Sequence, residues 1–286
     1  MLIRRAERFA GGAYQLVTRP YYHWRYRDEH QKRVQFEFES NHEAVYQALC
    51  SIPQIRVECL RIAPEKYRAW LQQAHYTRNV YRGNFTEKTL EHYLTVELLD
   101  FKPDNIVIDV ASDNSPFVDV IERTTGCQIY EQDIIYTSGI HGRKIGGNAA
   151  HIPLPDHSVN KMTLHCSFEH FEGTVDSEFI HECGRLLAIG GQCAIVPLYI
   201  TERRFHLSNP ICRDRDELIF DADTPIVRDP FWAVARFSRF YDVESFKERI
   251  ARHLDDSLGA TVYFVENEKD VDQSCYVKFM LLLTKH

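Results

Sequence analysis

The segment that most narrows the choice of fold is residues 106–117, IVIDVASDNSPF. Ile106, Val107, Ile108 and Val110 make a nearly continuous apolar run, the pattern of a parallel strand covered on both faces rather than of one with a wet face. Asp109 interrupts the run near its carboxyl end, the end at which open α/β sheets bind ligands among departing loops and the free N–H groups of helix amino termini. Pro116 suits the first turn of a helix, where its missing N–H would have no partner anyway. Gly126 supplies the left-handed residue that closes that helix.

A chain of 286 residues, 44% of them hydrophobic, can bury a full α/β core, either as one large domain or as a core with attached segments. Its formal charge of −7 repels duplex nucleic acid at long range, so a small molecule is the expected partner and nucleic acid is not. The eight cysteines (Cys50, Cys59, Cys127, Cys166, Cys183, Cys193, Cys212, Cys275) are scattered without a CxxC pair and read as reduced, buried thiols of a cytoplasmic protein. No apolar run approaches the ~20 residues of a membrane-spanning helix, and residues 1–3 are too short for a signal-peptide core. The expectation is a soluble, unexported protein with no membrane partner; oligomeric state is not legible.

Residues 1–33 interleave basic residues with Tyr21, Tyr22, His23, Trp24 and Tyr26. The plainer reading is an arm that docks its rings on the main domain; the other is a patch for a phosphate-bearing or single-stranded partner. Residues 41–96 carry a helical pattern broken at Pro53 and Pro64, with helices expected over 64–75 and 86–99, the latter through Leu90, Tyr93, Leu94, Glu97 and Leu98. After the 106–110 strand and its helix come a strand over 127–130 closed by Glu131 and Asp133, a Gly-rich stretch over 137–147, and a strand over 161–166. Asp176 is placed to cap a helix whose Phe179, Ile180, Cys183, Leu186 and Leu187 share a face, ended by Gly190 and Gly191 before a buried strand over 192–200. Strand and helix alternating in this way imply a parallel sheet with right-handed crossovers. The organisation expected is a helical N-terminal region over 1–95, then an α/β domain over 96–286 with an insertion at about 201–240.

The series IVIDVAS, the acidic end at Asp133, GNAAHIPLPDHSVNKMTLHCSFEHF and ECGRLLAIGGQCAIVP resembles the class I S-adenosylmethionine-dependent methyltransferases of the type 11 kind over about a third of the chain. The resemblance rests on Asn148, Ala149, Leu154, Pro155, Glu169, His170, Glu182, Arg185, Leu186, Leu187, Gly190 and Gly191. Residues 239–246, RFYDVESF, are similar to a piece that precedes the last two strands of such enzymes, read here as 260–265 and 276–283 and expected to pair antiparallel at the sheet edge. The family implies a Rossmann-like, mostly parallel sheet with helices on both faces and an antiparallel last strand. It also implies S-adenosyl-L-methionine as cofactor. One departure stands out: the first loop reads Ala111, Ser112, Asp113, Asn114, Ser115 where the family carries several glycines, and each added Cβ takes room from a ligand.

On that resemblance, Asp109, Ala111, Ser112, Asp113 and Ser115 would hold the methionine end, with Asp113 able to meet the ammonium group. Asp133, about twenty residues past the first strand, would take the ribose, with Glu131 as fallback. Asn148 and Ala149 would face the adenine edge, and Cys166, at the end of the fourth strand, would border the cofactor. His165 and His170 are the candidate bases, since a neutral imidazole takes a proton near pH 7. His141 and His151 read as surface residues. The spacing in HCSFEH does not reproduce a zinc motif, so no metal is expected. Absence of a GxSxG elbow or P-loop leaves hydrolase and kinase readings without support. The acceptor would be a small molecule or glycan, methylated on oxygen and enclosed by the first third and by residues 201–236, with Phe231, Trp232 and Phe237 lining the pocket. The alternative is a catalytically inactive protein of the same fold, kept as a binding or assembly module.

Overall fold

The computed structural model describes residues 21, 24–76, 81, 83–210, 218–230 and 236–286. In chain order the elements are α1 (Arg27–Arg33), α2 (His42–Leu49), β1 (Ile55–Leu60), α3 (Pro64–Ala74), α4 (Phe85–Leu99), β2 (Ile106–Val110), α5 (Pro116–Thr125), β3 (Gln128–His141), β4 (Lys144–Gly146), β5 (Val159–His165), α6 (Val175–Leu186), β6 (Leu187–Val196), β7 (Phe205–Ser208), β8 (Ile226–Arg228), β9 (Ser238–Phe240), α7 (Val243–Arg249), β10 (Leu258–Val265) and β11 (Phe279–Lys285). Among the described residues no helix is long and apolar enough to cross a membrane.

Eight strands form one sheet in the order β1-β10-β11-β6-β5-β2-β3-β4, and β11 alone runs against both of its neighbours. From β2 the chain steps outward through β3 to β4, then crosses back to β5 and builds the other half. The order therefore reverses between β2 and β5, the place where such sheets bind ligands. Successive residues of one strand point to opposite faces. Val107, Ala194, Val196, Met280 and Leu282 accordingly join one core with residues of α3, α4 and α5, while Ile108, Val110, Cys193, Ile195, Leu281 and Leu283 join another with residues of α2, α6 and α7. Helices thus cover both faces, as expected for a Rossmann-like sheet.

The strand and helix beside the switch point form as their residues dictate. Helix α5 opens with Pro116 behind Ser115, whose Oγ accepts from Phe117 N, and closes on Gly126 at φ 75°. Elsewhere the structure departs from expectation. The first third is not purely helical, because Ile55–Leu60 pairs parallel with β10 as the edge strand. The last two strands do pair antiparallel, but β1 covers β10 and β11 sits inside the sheet, so neither is at the edge. Helix α6 starts at Thr174 without a side-chain cap and ends at Leu186, leaving Gly190 and Gly191 within β6. β3 runs on to His141 and folds back, so that β4 lies beside both its halves. Gly146 makes that approach possible, since a Cβ there would stand 2.0 Å from Thr137 O. Of the described cysteines, Cys50 and Cys59 are exposed rather than buried, and Cys212 lies outside the described residues.

Strands β7, β8 and β9 of the expected insertion make a separate sheet in the order β8-β7-β9. The N-terminal arm docks on it: Arg33 Nη1 donates to Asp229 Oδ2 (2.9 Å), and Arg228 N donates to Glu29 Oε2 (3.1 Å). What ties this sheet to the main domain is Asp176, fully buried one residue inside α6 rather than capping it. Its carboxylate accepts from Arg239 Nη1 (3.0 Å), Arg249 Nη2 (2.6 Å) and the Tyr241 hydroxyl (2.6 Å). Removing one partner of such a buried network leaves uncompensated charge, at about 3–5 kcal/mol. Asp176→Ala is therefore expected to lower the unfolding free energy by about that much in a urea titration, and Asp176→Asn by less; loss under ~1 kcal/mol would deny the network this role.

Candidate active site

A cleft of about 200 Å³ lies at the switch point, lined by Tyr81, Lys88, Asp109, residues 111–115, His165 and Cys166. The glycine-poor loop adopts the conformation glycine would favour: Ala111, Asp113 and Asn114 have φ of 52°, 39° and 59°. β3 imposes this shape. Gln132 O accepts from Ser112 N (3.1 Å), Asp133 Oδ2 from Asp113 N (2.8 Å), and the Tyr136 hydroxyl from Asn114 N (3.1 Å).

Those bonds decide which predicted residues meet. Asp109, Ala111, Ser112, Asp113, Ser115, His165 and Cys166 share the cleft. Asp133, Asn148, Ala149 and His170 do not line it. Asp133 is buried, with Oδ2 held by the Asp113 amide and Oδ1 accepting from Ile135 N (3.0 Å). The fallback Glu131 is equally engaged, by Arg143 Nε (2.7 Å) and the Tyr136 hydroxyl (3.2 Å). Asn148 Oδ1 accepts from Ala150 N (3.0 Å) in a local turn. His170 Nδ1 donates to Phe237 O (2.6 Å) at the entry to β9. Phe231 and Trp232 lie outside the described residues, and Phe237 packs on His206 (4.9 Å) rather than facing the cleft.

Asp109 is the best-placed polar group in the cleft. Its Oδ1 accepts from Thr163 Oγ1 (2.7 Å), whereas Oδ2 is buried with no hydrogen-bond partner. His165 Nδ1 comes within 3.3 Å of Asp109 Oδ1 but is misaligned for a hydrogen bond and stays unpartnered, while Nε2 meets Thr95 Oγ1 (3.0 Å). The ring is wedged against His92 and Phe117, at 4.5 Å from each. Burial holds His92 well below its ordinary value, so it is neutral. Among the described residues no group of His, Cys, Asp and Glu could hold a metal ion.

Helix α4 lies where the sequence pattern put it, but its buried polar face was not foreseen. Its apolar residues Leu90, Tyr93 and Leu94 are buried as expected, but so are Glu87, Glu91, His92 and Thr95, while Glu97 is exposed. The signal was present as polar residues at positions 87, 91 and 95, a stripe at helical spacing. Lys88 Nζ lies 3.1 Å from Glu91 Oε2, and the Cys166 thiol donates to Glu91 Oε1 (3.2 Å). Burial works against the Lys88 ammonium, but the Glu91 carboxylate beside it holds it above its ordinary value. Burial also drives the Cys166 thiol well up, so it is no thiolate nucleophile. Burial, reinforced by Glu91, pushes Glu87 up to about 8.

No protein-family model matches the chain, and no curated protein does. Among solved structures, it is similar to the PH0226 protein of Pyrococcus horikoshii OT3, with TM-score 0.48 and 15% identity over 78% of this chain and 99% of that one. It is also similar to the 1,6-didemethyltoxoflavin-N1-methyltransferase of Burkholderia thailandensis, solved with 1,6-didemethyltoxoflavin and S-adenosylhomocysteine, at TM-score 0.44 and 11% identity over 80% and 93%. A candidate methyltransferase of an antibiotic biosynthesis pathway from Anabaena variabilis ATCC 29413 aligns at TM-score 0.32 and 16% identity over 39% of this chain and 47% of that one, so the chain spans about half its length. Likenesses this distant leave the chemistry to be read from the site.

Glu87 gives α4 a pH signature. Its folded value is raised above the ordinary 4.5 to about 8, so the folded state binds the extra proton between these limits. Stability should therefore fall as pH rises from 4.5 to about 8, and Glu87→Gln should flatten that fall in melting temperatures recorded across this range. An unaltered slope in the variant would refute the assignment.

Proposed function

We propose that the protein transfers a methyl group from S-adenosylmethionine to an oxygen of a small-molecule acceptor. The observation that carries this reading is the unpartnered, buried oxygen of Asp109 in a cleft at the switch point of a Rossmann-like sheet. A buried carboxylate oxygen without a donor is costly, and an ammonium group satisfies it. When bound, S-adenosylmethionine supplies an electrophilic methyl group on a sulfonium for in-line displacement.

The residues fit that cofactor at its methionine end, where Asp109 would take the ammonium and the loop from Ala111 to Ser115 would flank it. At the ribose end Asp133 must first give up the Asp113 amide, so the loop has to shift for the carboxylate to accept from ribose hydroxyls. The chain's remaining work is orientation, exclusion of water and acceptance of a proton. His165 lines the cleft, and Glu91 is joined to it through Lys88 and Cys166. These two are the proton acceptors we assign; His170 is left out because it does not line the cleft.

The engaged state of Asp133 favours a second reading, in which the fold is retained as a binding or assembly module that takes no cofactor. Calorimetric titration with S-adenosylhomocysteine separates the two. The methyltransferase reading expects saturable binding by the native chain and a loss of about 1.5–3 kcal/mol in Asp109→Asn, the scale of a charged hydrogen bond. No heat and no thermal shift at millimolar ligand would leave the module.

A further inference from the structure

A neutral imidazole carries one proton, and the nitrogen that holds it decides what the ring can do. The two nitrogens of His165, at the end of β5, keep different company. Nε2 lies 3.0 Å from Thr95 Oγ1, on α4. Nδ1 is buried without a hydrogen-bond partner, 3.3 Å from Asp109 Oδ1 but out of line with it.

The Thr95 hydroxyl separates the two forms of the ring. A hydroxyl has one proton to give. Thr95 Oγ1 gives it to the main-chain oxygen of Glu91, one turn back in α4 and 3.0 Å away, which can only accept. What Oγ1 then offers His165 is a lone pair, so Nε2 carries the hydrogen and Nδ1 is bare. The opposite form would bury an N–H at Nδ1 with no aligned acceptor, and orphaned N–H groups are the rarer and costlier defect in a folded interior.

We infer that Thr95 is a positioning residue: it holds His165 in the Nε2–H form, so that a proton taken from the acceptor lands on Nδ1, beside Asp109. The role as base rests on the methyltransferase reading; the tautomer does not. The step asked of the ring is a proton transfer alone. The acceptor's O–H bond breaks, its electron pair stays on oxygen, and the proton forms an N–H bond at Nδ1. The resulting imidazolium stands 3.3 Å from a carboxylate oxygen, and an opposite charge at that distance favours the charged ring. Its cationic and titratable neighbours do not oppose it: His92, with ring centroid 4.5 Å away, is kept neutral by burial, and Lys88 is paired with Glu91. In the opposite tautomer the lone pair would face Thr95 and α4, away from Asp109.

The test is nitrogen NMR of the full chain with isotope-labelled histidine near neutrality, His165 being assigned by the signals lost in His165→Gln. The native ring should show a protonated Nε2 and a bare Nδ1, and so should Thr95→Ser, which keeps the hydroxyl. In Thr95→Val the Nε2 proton loses its acceptor and should move to Nδ1, exchanging the two nitrogen shifts. The inference is overturned if the native ring is protonated at Nδ1, alone or together with Nε2, or if Thr95→Val keeps the native pattern. Should that variant fail to fold, the native and Thr95→Ser spectra decide. Calorimetry with S-adenosylhomocysteine on the native chain tells the two failures apart. The Nε2–H form without ligand binding would overturn the role as base and keep the positioning by Thr95; ligand binding with the other form would overturn the positioning and keep the methyl transfer.

Discussion

The candidate site depends on one hydrogen bond, from the Asp113 amide to the Asp133 carboxylate. Three residues with side chains hold the loop after β2 in left-handed conformations. Each such residue costs about 1–2 kcal/mol relative to glycine, somewhat less for Asp and Asn. An arrangement of that kind persists only where its surroundings over-determine it. Here the surroundings are Gln132, Asp133 and Tyr136, all on β3, whose bonds to successive loop amides supply the compensation. A bond from a backbone amide to a charged acceptor contributes about 1.5–3 kcal/mol, enough to match the strain of one residue.

The same bond explains how the cleft is divided. With Asp133 turned onto the loop, open volume remains over Asp109 and towards α4, and none of the lining comes from Asp133, Asn148 or Ala149. Helix α4 then makes the far wall with groups usually kept in water. Lys88 and Glu91 stabilise one another there, Cys166 is bonded to the same carboxylate, and the Tyr199 and Tyr276 hydroxyls continue the polar layer. Such an interior is poor material for stability alone, because buried ionic groups are matched or exceeded by apolar packing. Its location on the wall of a cleft at a switch point is what gives it a chemical reading.

Legibility in the sequence followed the range of the interactions. The 106–110 strand, the Pro116 start and the Gly126 stop were readable because each signal is carried within a few residues. The order of the later strands was readable because crossover rules restrict it, but the edge was not: Ile55–Leu60 alternates as IRVECL beside turn residues and was masked by the helical pattern around it. Asp109, His165 and Cys166 meet in the cleft because strand ends at a switch point are neighbours by topology. Asp133 and His170 stand outside the cleft lining for a different reason. Their partners are a backbone amide 20 residues upstream and a carbonyl 67 residues downstream, and no local pattern announces either. The polar stripe of α4 was present in the sequence but was outweighed by the apolar one beside it.

The most direct measurement is the backbone amide resonance of Asp113, followed by NMR with and without S-adenosylhomocysteine. In the free protein the account predicts a downfield amide proton that exchanges slowly, as befits a bond to a carboxylate. On saturation with ligand the resonance should move and its exchange should speed up, because Asp133 passes from the loop to the ribose. A ligand that binds while the Asp113 amide keeps both its shift and its protection would contradict the account, as would a free protein in which that amide is unprotected from the start.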